Sequence, residues 1–317
     1  MIRFRSFRNT DPPLLARLWQ SQPATRGLYS RVTAPLLEHL VFSKIYFEAA
    51  GLIVAEQGGE IRGFAHAGFG CTEDGQRMDY SRGTTAMLMV APGEDAQSVA
   101  LELLHYSERY LLERGARELY GGQLWPLNPF YLGLYGGSQL AGVLESDTRQ
   151  SSWFAAAGYE PAAHRVVLQR LLANFRPPMN RDLLLLRRRL RVEQVDDPAT
   201  SDWWTACQYA QHEQLGLRLV GSDSSIAARL SLWNMEPLAS GWGVHAAGIT
   251  DWKLAESEPG SPLELFLLAE TLRLLQSQGV MLAEVQRSPD DTQTLGVLNE
   301  LGFQTVDRGV LLRKPMP

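Results

Sequence analysis

A chain of 317 residues is about twice the size of an ordinary single domain, so two domains are the starting expectation. Its 45% apolar and 21% charged content excludes extended disorder, and a net charge of −5, from 30 Lys+Arg against 35 Asp+Glu, excludes a globally basic nucleic-acid binder. Two distant cysteines, Cys71 and Cys207, make neither a disulfide framework nor a zinc site, and no apolar run approaches the ~20 residues of a membrane span.

Residues 1–8 alternate apolar and basic side chains as a strand does, without the unbroken apolar stretch of a signal peptide, so a cytoplasmic protein is expected. Residues 51–56 and 61–67, joined around Gly58-Gly59, read as a hairpin. A strand over 84–90 feeds a turn, a leucine-rich helix over 101–115 stops at Gly115, and a short strand follows at 117–120. Residues 125–142 form an insert rich in Gly, Pro and aromatics; beyond it Gly158-Tyr159 leads to an apolar strand tipped by Arg170. Pro177-Pro178 marks a linker, and Arg187-Arg188-Arg189 beside it reads as a solvated face rather than a nucleic-acid patch.

The second half repeats a shortened version: a strand over 245–254, a helix over 265–279, a strand over 280–285, then Gly302-Phe303 and a strand ending Arg313-Lys314. No hairpin signal stands between Arg229 and Trp242. Laid at an offset of 164, residues 101–115 match 265–279 at six of fifteen positions, including Leu104/Leu268, Arg109/Arg273 and Gly115/Gly279. The chain therefore divides into 1–173, a linker 174–190, and a shortened domain 191–317. Trp203, Trp204, Trp233, Trp242 and Trp252 are expected to fill the core of the second.

Strand, turn, long helix ending in glycine, strand, helix, Gly-aromatic and strand resembles the GNAT superfamily of acyl-CoA-dependent N-acetyltransferases, in tandem as in its two-domain members. The resemblance implies an α/β fold (α+β, mixed sheet) of two tandem GNAT-like domains. In that family the fourth strand ends in Val-x-Pro and opens into an Arg/Gln-x-x-Gly-x-Gly/Ala turn at a helix start, whose N–H groups cradle the CoA pyrophosphate. Here Val90-Ala91-Pro92 matches, and the turn becomes Asp95-Ala96-Gln97-Ser98-Val99-Ala100. The resemblance thus assigns Val90, Gln97, Ser98, Val99 and Ala100 to acetyl-CoA as co-substrate, with Glu94 and Asp95 departing in charge. In the second half Pro259, Pro262 and Glu264 stand at the corresponding places, so conventional CoA binding is expected only in the first.

The family's general-acid tyrosine is replaced by Phe154 and Leu298, and the asparagine before it by Asp147 and Asp291. Tyr131 and Tyr135 of the insert are candidates for pocket lining and proton donation, and Glu56 and His66 for the base; a packed loop and ordinary strand residues are the plainer readings. No His, Cys, Asp or Glu grouping has a metal-ligand spacing, so no metal is expected. The expected function is acetyl- or acyl-CoA-dependent N-acyltransfer to a small-molecule or protein amine by direct attack, with neither nucleic acid nor membrane as partner. The rival expectation is a degenerate GNAT fold kept as a binding or interaction module.

Overall fold

The structure is a computed structural model that describes residues 1–196, 198, 200 and 202–315. The first half opens with strand β1 (Arg3–Ser6), helix α1 (Pro12–Gln20) and the short helix α2 (Ala34–Leu37), which continues as a π-helical turn over Glu38–Phe42. Strands β2 (Leu52–Gln57), β3 (Glu60–Cys71) and β4 (Met78–Val90) lead to helix α3 (Ala96–Glu113), strands β5 (Glu118–Gly121) and β6 (Val143–Leu144), helix α4 (Thr148–Ala156) and strand β7 (Glu160–Leu171). Next come helix α5 (Arg181–Arg189), strand β8 (Leu190–Asp196), helix α6 (Trp203–Tyr209), strands β9 (Gln214–Gly221) and β10 (Ile226–Asn234), and helix α7 (Glu236–Trp242). The chain closes with strand β11 (Ala246–Leu254), helix α8 (Pro262–Ser277), strand β12 (Leu282–Arg287), helix α9 (Thr292–Glu300) and strand β13 (Gln304–Lys314).

The repeated segments fall on like elements. Residues 101–115 lie on α3 after β4, and 265–279 on α8 after β11; both helices stop at a glycine with positive φ, Gly115 at 105° and Gly279 at 80°. Only glycine takes that conformation without a Cβ penalty, which is why the stop was legible. α3 buries Val99, Ala100, Leu103, Leu104 and Leu111 on one face. α8 is covered on a second side as well: α5 lies inside the expected linker, Leu183 joins the α8 core, and Arg187 pairs with the buried Glu270.

The strands make one sheet ordered β1-β2-β3-β4-β5-β13-β7-β12-β11-β10-β9-β8. Two pairs are parallel, β4 with β5 and β11 with β12, as a helical crossover requires. The last strand of each half has crossed over. β13 pairs with β5 of the first half, β7 pairs with β12 of the second, and the two run antiparallel down the middle from Gln304↔Gln169 to Arg313↔Glu160. Neither half's sheet is complete without a strand from the other. β9 and β10 form a hairpin across residues 222–225, where Ser224 takes φ 66° and Asp223 accepts from Ser225 N.

Candidate functional site

In each half a parallel pair is hydrogen-bonded for four registers and then separates, and the two separations differ. β4 leaves β5 after Thr85↔Gly121. Beyond that point the gap is filled by the protein itself. Gln123 Nε2 donates to Ala86 O (3.1 Å) and its Oε1 accepts from Phe130 N (2.8 Å). Arg149 Nη2 donates to Val90 O (3.0 Å) while its guanidinium lies 4.9 Å from the Trp153 ring centroid. Val90, Val99 and Ala100 are buried in one core with Leu88, Trp153 and Phe154, so of the five residues assigned to acetyl-CoA only Gln97 and Ser98 are exposed. No side chain caps the start of α3: Ser98 Oγ turns back to Asp95 O (2.8 Å), and Asp95 Oδ1 is 3.5 Å from Arg62 Nη2.

Of the four candidate acid–base residues only His66 and Tyr131 are brought together; Glu56 and Tyr135 lie apart with partners of their own. Glu56 is held by Arg5 Nε at 2.5 Å, and that hydrogen bond keeps its carboxyl below the usual range. His66 is fully buried, stacked on Phe130 at 4.0 Å, with Nδ1 2.8 Å from the Tyr131 hydroxyl and no partner for Nε2. Tyr135 donates to Asp147 (3.3 Å) and accepts from Leu144 N (3.1 Å). Burial pushes both phenols up and the His66 imidazole down to about 3. His66, Tyr131 and Tyr135 are occupied core groups, and His66 owes its burial to the insert residues Phe130 and Tyr131, remote from it in sequence.

The imidazole carries a stability prediction. Its folded pKa lies below the ordinary value of about 6.5, so its contribution is whole above pH 6.5 and is lost as pH falls towards 3. Denaturant unfolding should show wild type losing about 2–3 kcal/mol more than His66→Phe between pH 7 and 4.5. Parallel pH curves for the two proteins would mean that His66 charges in the folded state.

In the second half β11 leaves β12 after Ile249↔Val285; Gln139 bridges the two strands at Thr250 and Gln286, and beyond that bridge a cleft opens. It has a volume of about 1040 Å³ and runs from the insert residues Trp125 and Asn128 past Trp204 of α6 to Glu264 of α8 and Ser288. Trp125, Asn128, Leu132, Gln139 and Leu140 of the insert line this cleft, whereas Tyr131 and Tyr135 lie outside its lining. The insert is locked in place by Gln139 Nε2 to Thr250 O (3.0 Å) and Gln286 Nε2 to Gln139 O (2.8 Å).

At the start of α8 the side chain of Glu264 is buried and accepts from Gly260 N (2.5 Å), Trp252 Nε1 (2.6 Å) and Thr294 Oγ1 (3.1 Å). A helix N-terminus attracts an anion, and here the chain supplies one of its own. Arg287 lies 3.5 Å above the Trp252 ring centroid, its guanidinium pushed down to about 10 by burial. The cleft also holds Arg218 and Arg229, missed because the β9–β10 hairpin was missed, and Lys253, which lies on the expected strand over 245–254 but had no basic neighbour in register without that hairpin. Its signal was the alternation in Leu217-Arg218-Leu219 and Arg229-Leu230-Ser231-Leu232.

No family model and no curated protein sequence matches this chain. Solved structures do. A tandem GNAT protein from the clavulanic acid biosynthesis pathway, determined without AcCoA, superposes with a TM-score of 0.63 at 13% identity over 100% of both chains. A GCN5-related N-acetyltransferase from Sphaerobacter thermophilus gives 0.65 at 14% identity, over 99% of this chain and 95% of its own. The chain has the GNAT fold. A GCN5-related glucosamine N-acetyltransferase region of a fungal multi-domain GH3 β-N-acetylglucosaminidase gives 0.66 at 15% identity; 99% of the present chain is covered, which spans 38% of that protein. β4–α3–β5 and β11–α8–β12 are the corresponding strand–helix–strand units of the two halves, and the cleft described above lies at the second. Among the described residues no group of His, Cys, Asp or Glu could hold a metal, and no helix is long and apolar enough to cross a membrane.

Proposed function

We propose that this protein transfers an acyl group from an acyl-CoA thioester to an amine, and that the transfer takes place in the cleft of the second half. The supporting observation is the cleft that opens beyond the Gln139 bridge between β11 and β12, where the equivalent stretch of β4 has Val90 O taken by Arg149. An acyl-CoA supplies an activated carbonyl; the strand edge freed beyond Ile249 offers N–H donors fixed in place to polarise it, and the cleft aligns an amine beside it. The first turn of α8 does not fit a CoA pyrophosphate as it stands, because Glu264 already takes the Gly260 N–H and Pro262 has none to give. That misfit favours a second reading, a GNAT fold retained as a binding module without transfer.

Calorimetric titration with acetyl-CoA separates the two. Wild type should bind, Ser288→Trp should weaken binding at least about tenfold by filling the cleft mouth, and Glu264→Gln should tighten it by about the same factor by removing a carboxylate from the phosphate position. Binding lost in Ala100→Phe but kept in Ser288→Trp would move the donor to the first half. No heat from any of these proteins would leave the binding module.

A further inference from the structure

On the face of the second-half sheet turned away from α8, three cations stand abreast. Arg218 of β9 pairs in register with Arg229 of β10, and Arg229 with Lys253 of β11. Residues directly opposite in antiparallel strands project to the same face with Cβ atoms about 5 Å apart, where like charges repel. A sheet does not place three in one row to its own advantage. The hydrophobic alternation confirms the face: Leu217, Leu219, Leu230 and Ile249 pack with α8, which turns Arg218, Arg229 and Lys253 into the cleft.

Among the described residues no acid forms an ion pair with the row: none of these three side chains forms one within 4.0 Å, nor do Arg165 and Arg287 across the cleft. Most nearby carboxylates have other work: Glu193, in register with Arg218 on β8, pairs with Arg191 at 3.3 Å, Glu264 is held by its three donors, and Asp202 and Asp291 cap α6 and α9. Asp251, two residues from Lys253 and opposite Ser231, is the one acid on the same face of β11 and lines the cleft beyond the end of the row. Cations spaced about 10 Å from end to end along one wall of a cleft, Arg218 half-buried and Arg229 and Lys253 exposed to an incoming ligand, match a small molecule carrying several anionic oxygens.

We infer that the second-half cleft recognises a polyanionic small molecule, held by Arg218, Arg229 and Lys253 through clustered carboxylate or phosphate groups. Resting on the proposed function, this makes the amine acceptor an acidic one, with the row fixing its anionic end while its amine reaches the separation of β11 and β12. Recognition of the anion requires no acyl-CoA, so it is tested without one.

The full chain is titrated with citrate and, separately, inorganic pyrophosphate at matched ionic strength, by calorimetry and thermal unfolding. Wild type should bind at least one; citrate alone identifies carboxylates, and pyrophosphate alone phosphates. Arg229→Gln and Lys253→Gln should each weaken that binding about tenfold, with the surface control Arg17→Gln unchanged. Without ligand, both cleft variants should unfold at or above the wild-type temperature, because each removes repulsion. Equal affinity in wild type and variants, binding of neither anion, or a lowered unliganded unfolding temperature in both variants would overturn the inference. Absence of acetyl-CoA binding would instead strike the proposed transfer reaction and leave the anion site standing.

Discussion

Replacing Glu284 with alanine is expected to cost about 3–5 kcal/mol of unfolding free energy, because it leaves three donors without their buried acceptor in a clamp that joins the two halves. Glu284 on β12 is fully buried and accepts from Ser138 N of the insert (2.6 Å), Gln169 Nε2 of β7 (2.7 Å) and Arg26 Nη1 (3.1 Å). Arg26 also lies 3.6 Å from Asp307 of β13. The insert comes this close only because Gly137, at φ 114°, has no Cβ: one built there would sit 2.0 Å from Glu284 Oε1. Glu284→Gln should cost less, since the amide oxygen still accepts from Ser138 N. Denaturant curves for both variants check this, and equal, small losses would show that the clamp is ornamental to stability.

Cutting the chain at residue 190 is expected to leave no independently folded first half. That fragment keeps β7 but lacks both of its neighbours, β12 and β13, and β5 loses the strand beside it. A sheet so interrupted presents open edges, and unpaired buried backbone groups cost about 1–3 kcal/mol each. Co-expressed fragments 1–190 and 191–317 should reassemble into a stoichiometric complex with a single unfolding transition. A monomeric, cooperatively unfolding 1–190 fragment on gel filtration and circular dichroism would refute the dependence.

The local parts of this fold were readable from sequence because local chemistry specifies them. Leucine periodicity with a glycine stop marks α3 and α8, and Gly58-Gly59 between alternating runs marks the β2–β3 hairpin. The β9–β10 turn escaped because its positive φ falls on Ser224, where no glycine or asparagine announces it. Strand exchange was invisible for a different reason. β7 and β13 are both apolar strands with a basic tip, so either satisfies the pattern beside β5, and the choice rests on contacts between residues far apart in the chain. The candidate site followed the small residues Ser98 and Ala100 to the first half. What closes that half, Trp153 with Arg149 over it, comes from α4 and carries no sign in the loop itself. The open cleft needs walls from the insert, α6 and β9 through β12, an arrangement that only the folded sheet assembles.

Those walls have a thermodynamic consequence. Trp125 and Asn128 come from before the linker, and Arg218, Arg229 and Lys253 from after it, so a molecule lodged between them touches both fragments of a divided chain at once. Its binding and the fragments' union are then reciprocal quantities: whatever factor the ligand adds to their association constant, association must add to the ligand's. A compound library could therefore be sorted by how strongly each member draws the severed pieces together, before any reaction is known to assay.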